Sequence, residues 1–140
     1  MAADLATYVL DSFALLAHFQ GEPGTRRVRA VLAKGAKAQA KVYLSIIKYG
    51  EAICITEREQ GLTAAQRLIG ALDQLPVEVV EADRRQTFAA THLKAKLPIA
   101  HADAFALALA IQREAILLTG DPEFRHAESM ARIEWLTAPR

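Results

Sequence analysis

The chain has 140 residues, a net charge of +1 and a hydrophobic fraction of 52%, enough apolar surface for one core and too short for a second of ordinary size. Aromatic residues make up only 6% and much of the apolar content is Ala and Leu, which favours helices because these side chains lose little entropy there. No stretch reaches the roughly 18 apolar residues of a membrane helix, and Met1 to Thr7 lack a basic start followed by a long apolar run. The expectation is therefore a single domain over residues 1–140, soluble, uncleaved and without a membrane partner. The lone cysteine, Cys54, excludes an internal disulfide and points to a cytoplasmic protein. Its place in an apolar helical pattern suits an inert core residue better than a reactive nucleophile.

Charge is unevenly spread. Arg26, Arg27, Arg29, Lys34, Lys37, Lys41 and Lys48 fall between Glu22 and Glu51 with no acid among them, so this segment carries +7 and the remainder −6. Such a stripe suits a protein that handles a polyanion, and equally a solvated helix face.

Tyr8-Val9-Leu10, ending at Asp11, reads as a buried strand. Ser12 to Phe19 reads as a short helix closed by Gly21-Glu22-Pro23-Gly24, and Thr25 can cap the next, with Val28, Val31 and Leu32 as its apolar stripe. Val42-Tyr43-Leu44 is a second predicted strand. Ser45 caps a helix to about Gln60 that Gly61 ends, and a further helix spans Leu62 to Leu75 with Pro76 as its stop. Val77 to Val80 is a strand, followed by a helix that Asp83 can cap. After Pro98 comes a helix from about Ala100 to Arg113, apolar nearly all round and hence central. Ala115 to Leu118 is a strand running into Thr119-Gly120-Asp121-Pro122, and Ile133 to Leu136 a last edge strand.

Strands alternating with helices imply an α/β sandwich with a largely parallel sheet, in which ligands bind at the carboxyl ends of the strands. Asp11 and Asp121 both fall just past a predicted strand end. Asp103 lies in the first turn of the apolar central helix, where an acid gains from the helix dipole but, once buried, needs a partner or a metal. Glu51 stands four residues from both Ile47 and Ile55, on an apolar helix face, with Lys48 three residues earlier as a candidate ion-pair partner. Each acid has a plainer reading: Asp11 as a helix cap, Asp121 as a cap before a first-turn proline, Asp103 as a dipole complement, Glu51 as a surface pair. Together they are a set of hard oxygen ligands of the kind Mg²⁺ or Mn²⁺ takes, and a metal held this way activates water for attack on phosphorus.

The runs Tyr8 to Leu16, Tyr43-Leu44-Ser45 to Glu51, Ala102 to Ala110 and Leu118 to Phe124 resemble, in order and spacing, PIN-domain ribonucleases, especially the VapC-like toxins of toxin–antitoxin systems. The resemblance implies a PIN-like three-layer sandwich with a mostly parallel four- to five-stranded sheet flanked by helices. It implies a Mg²⁺ or Mn²⁺ site made by Asp11, Glu51, Asp103 and Asp121 for hydrolysis of RNA phosphodiesters, with Ser12 and Thr119 as supporting hydroxyls. A VapB-type antitoxin and a homodimer are the implied partners. Many VapC-like sequences carry Asn three positions before the helix acid, where this chain has Lys48. That cation could compete with metal or contact substrate phosphate; His101 is a second candidate substrate contact, or a capping or surface histidine. His18, His92 and His126 show no partner pattern and read as structural.

The nearest rival is a catalytically weak or inactive PIN-like RNA-binding or regulatory module, for which Lys48 speaks and the four acids do not. A phosphoacceptor receiver domain would need paired acids after the first strand and a late Lys, where Asp11-Ser12 and Thr119 stand. A Rossmann-type binder would need a glycine-rich turn after the first strand, and Asp11-Ser12-Phe13-Ala14 supplies no glycine.

Overall fold

A computed structural model describes residues 5–21 and 24–136. In chain order it places β1 (Ala6–Leu10), α1 (Ser12–Gln20), α2 (Thr25–Ala36), β2 (Ala40–Ser45), α3 (Ile46–Gln60), α4 (Leu62–Leu72), β3 (Glu78–Val80), α5 (Arg84–Lys96), α6 (His101–Gln112), β4 (Ile116–Thr119), a 3₁₀ segment (Pro122–Ala127) and β5 (Arg132–Trp135). The five strands form one sheet in the order β3-β2-β1-β4-β5, and every pairing is parallel.

Strand side chains alternate between two apolar layers. Val9, Tyr43 and Leu117 face α5 and α6, while Tyr8, Leu10, Val42, Leu44 and Leu118 face the layer built from α1, α2 and α4. Both faces of the sheet are covered, which is why its strands read as continuous apolar runs rather than polar alternation. In α6 every residue from Asp103 to Ala110 is buried. Its alanines let it lie close against the sheet, and burial of Leu107 and Leu109 contributes about 1.5–3 kcal/mol each.

Most expected helix ends match the structure. Ser45 accepts from the Ile47 N–H and Asp83 from the Gln86 N–H, and both cap as expected. Thr25 does not cap. Gly24 takes that position, at φ +96° and where a side chain would meet Leu136, and the Thr25 hydroxyl donates to the Ala17 carbonyl at 2.7 Å, tying α2 to α1. The helix expected to reach Leu75 ends at Leu72. Gln74 and Leu75 N–H groups bond three residues back, tightening the last turn, and Pro76 disfavours helical backbone at Leu75. Cys54 is exposed rather than in the core, beside Arg58 on the outer face of α3.

β1 is the central strand, and the chain leaves it toward β2 on one side and β4 on the other. That reversal of direction opens a crevice at the carboxyl ends of β1 and β4, the position where sheets of this kind bind ligands.

Candidate metal centre

Asp11 follows β1 directly and occupies the N-cap position of α1, yet its side chain caps nothing. It turns into the crevice instead. Thr119, the last residue of β4, donates its hydroxyl to Asp11 Oδ2, and Ser12 donates to Asp11 Oδ1 at 3.1 Å and to Glu51 Oε1 at 2.5 Å. Glu51 projects from α3, which Ser45 starts at the carboxyl end of β2. Asp103 comes up from the first turn of α6 and is 3% exposed. Carboxylate oxygens of Asp11, Glu51 and Asp103 all lie within 4.8 Å of one another.

Asp121 keeps the capping role its Asp-Pro sequence suggests, accepting from the Glu123 N–H at 3.0 Å, while its own N–H donates to the Thr119 hydroxyl at 3.0 Å. It also forms part of a second acidic group with Asp103 and Glu123. A cap and a place at the cleft are compatible, because one carboxylate has two oxygens. Glu123 was not anticipated as a site residue. The signal was its spacing two residues beyond Asp121 in the same turn, hidden because an acid in a first helical turn is ordinary.

These acids line a cleft of about 310 Å³ whose apolar wall includes Phe13, Leu16 and Ile55. Gly120 permits that wall: a Cβ there would collide with the Phe13 ring.

Lys48 lies beneath the acids. Its ammonium Nζ is 2.5 Å from Asp103 Oδ1, 2.8 Å from Glu51 Oε1 and 3.3 Å from Asp11 Oδ1, and the residue is 1% exposed. The buried Phe124 ring lies 6.0 Å away. Lys48 therefore faces three carboxylates and not open solvent, which favours the competitor reading over direct contact with substrate phosphate. Burial opposes the ammonium, but the charges of Asp11 and Asp103 and the hydrogen bonds to Asp103 and Glu51 prevail and raise its pKa. Burial pushes the Asp103 carboxyl up to about 7; Lys48 pulls it down, while the Asp11 charge and a hydrogen bond with Glu123 add to the rise. For Glu51 burial acts upward, but hydrogen bonds from Lys48 and Ser12 outweigh it and lower the pKa.

His101 is exposed at the start of α6 with its ring against Phe105, and it is not part of the cleft lining. His92 and His126 are exposed; His18 is half-buried, with its ring edge-on to Phe19. The basic segment divides: Lys48 is in the acid cluster, Arg27 pairs with Glu134 at 2.5 Å, and Arg26, Arg29, Lys34, Lys37 and Lys41 are exposed.

The donor set fits a hard divalent ion, being all carboxylate and converging on a point where the protein already seats a cation. Residues 8–129 match the PIN domain profile. The chain belongs to the PIN domain family. Among solved structures, this PIN domain is similar to VapBC2 from Rickettsia felis, bound to a promoter DNA fragment (TM-score 0.72, 18% identity, covering 94% of this chain and 99% of that one). It is similar to VapBC-1 from nontypeable Haemophilus influenzae (0.70, 21%, 94% and 99%). A third likeness is to VapC20 from Mycobacterium tuberculosis, a sarcin-ricin loop cleaving toxin (0.64, 20%, 86% and 94%). At these identities the likeness is one of fold. No curated protein matches the sequence. Among the described residues no helix is long and apolar enough to cross a membrane.

Proposed function

We propose that this PIN domain is a Mg²⁺- or Mn²⁺-dependent ribonuclease, the toxin of a toxin–antitoxin pair, acting in the cytoplasm as a homodimer that a VapB-type antitoxin restrains. The observation that carries the reading is the meeting of Asp11, Glu51 and Asp103 oxygens within 4.8 Å at the carboxyl edge of a parallel sheet. The VapBC complexes that share this fold support the antitoxin partner.

Asp11, Glu51, Asp103 and Asp121 would hold the metal, which when bound supplies an activated water and neutralises charge developing at phosphorus. Ser12 and Thr119 hold the carboxylates in position, Ser12 bridging Asp11 and Glu51 and Thr119 fixing the other Asp11 oxygen. Asp121 is half-buried and Glu123 exposed along the cleft lining. The exposed cations Arg26 and Arg29 would draw RNA toward the protein, an attraction that weakens steeply with salt.

Cleavage of a mixed pool of structured RNAs, with Mn²⁺ or with EDTA, tests this beside Asp103→Asn. Metal-dependent cuts absent from the variant are expected; cuts that persist in EDTA or in the variant overturn the assignment. The second reading, a catalytically weak or inactive RNA-binding module, is favoured by one observation, the ammonium of Lys48 inside the acid cluster. Salt-sensitive RNA binding without cleavage by folded wild type would select it.

A further inference from the structure

We infer that Lys48 is a built-in cation, its ammonium occupying the position among Asp11, Glu51 and Asp103 that a divalent ion would take, so that this side chain sets the metal affinity of the cleft. The inference rests on the metal-site reading above.

Both oxygens of Asp11 and one each of Glu51 and Asp103 already have hydrogen-bond partners. Asp11 Oδ2 accepts from Thr119, Asp11 Oδ1 from Ser12, Glu51 Oε1 from both Ser12 and Lys48, and Asp103 Oδ1 from Lys48. Mg²⁺ binds carboxylate oxygen at about 2.0–2.1 Å and demands near-octahedral order. A metal that takes Asp11 Oδ1, Glu51 Oε1 and Asp103 Oδ1 at that distance meets an ammonium lying 2.5–3.3 Å from the same three atoms, and both cannot be held at once. The ammonium does not yield readily: it is buried, with Phe124 on one side, and a buried cation stripped of its partners is strongly disfavoured. Lys48 also accounts for how three carboxylates can crowd together in the metal-free fold. A neutral residue at the same position would leave them mutually repelling and open to a divalent ion.

Mn²⁺ binding to the full chain, followed by calorimetry and by the spin-resonance signal of free Mn²⁺, tests this on wild type, Lys48→Asn and Lys48→Arg. Lys48→Asn should bind about tenfold more tightly or better, the scale on which groups adjoining a metal set its affinity. Lys48→Arg, which keeps the charge, should not gain. A Lys48→Asn chain that folds only with Mn²⁺ present supports the inference, because metal has then replaced the ammonium. Equal affinities in folded wild type and Lys48→Asn overturn it while leaving a metal site in place. Failure of both to bind at millimolar Mn²⁺ overturns the inference and the metal-site reading together. Tight binding by Lys48→Asn with no RNA cleavage by any variant upholds the inference and removes the nuclease. Should Lys48→Asn fail to fold under all conditions, the wild-type protein decides by the ¹H–¹⁵N signal of its Lys48 ammonium. A shift of that signal as Mg²⁺ saturates the cleft supports displacement; an unchanged signal overturns it.

Discussion

The inner and outer halves of the cleft are built differently. Asp11, Ser12, Lys48, Asp103 and Thr119 are buried, stand on strand ends or long helices, and bond to one another across the chain. Asp121 and Glu123 sit on a short 3₁₀ turn, one half-buried and one exposed, anchored chiefly by the capping bonds of that turn. The inner half is fixed before any ligand arrives, as suits groups that must hold a reacting atom in place. The outer half, held mainly by the bonds of its own turn, can adjust at little cost.

The largest effect should follow breaking the inner half. Asp103→Asn or Asp11→Asn should lower RNA cleavage about 10³-fold or more, the scale of removing one group that stabilises developing charge. Next comes Thr119→Val, which removes a donor to Asp11 and an acceptor for the Asp121 N–H. A loss of about 10–100-fold in activity is expected with all four acids intact, and undiminished activity would make Thr119 a spectator.

Asp103, raised to about 7, binds a proton that a metal must displace. Mn²⁺ affinity should therefore fall as pH drops from 8 to 6, approaching tenfold per unit below about 7. A flat profile by calorimetry would take Asp103 out of the ligand set. Asp121 separates cap from ligand: Asn keeps the cap and Ala loses it at about 1 kcal/mol. If Asp121→Asn is as active as wild type while Asp121→Ala only melts earlier, the acid is structural. Smallest of all, Arg27→Ala should cost at most about 1 kcal/mol, because its pair with Glu134 is partly solvated; a change in cleavage would tie the α2 face to substrate.

Much of this molecule was legible from residue pattern. Strand runs, the Ser45 and Asp83 caps and the apolar α6 follow from local chemistry, and Asp11 and Asp121 drew attention because they end strands. Legibility failed where a distant residue decides. The helix starts after Gly24 rather than Thr25, at a position where Leu136, more than a hundred residues on, leaves no room for a side chain. Residue pattern leaves Lys48 open between a pair with Glu51, a competitor for metal and a phosphate contact, and it is Asp103, 55 residues later, that makes it a buried hub. Cys54 illustrates the reverse error, since a hydrophobic neighbourhood in sequence says nothing of which helix face a position takes.

The bond between Thr119 and Asp11 joins residues 108 apart. At a synthesis rate of about 5–20 residues per second, roughly 5–20 s separate the making of one partner from the other. β4 must also be inserted beside the central strand before the crevice exists, so a nascent chain bearing only Asp11, Glu51 and Asp103 has no assembled site. If the protein cuts RNA, the ribosome producing it is exposed to a working enzyme only after β4 has been made and seated beside β1.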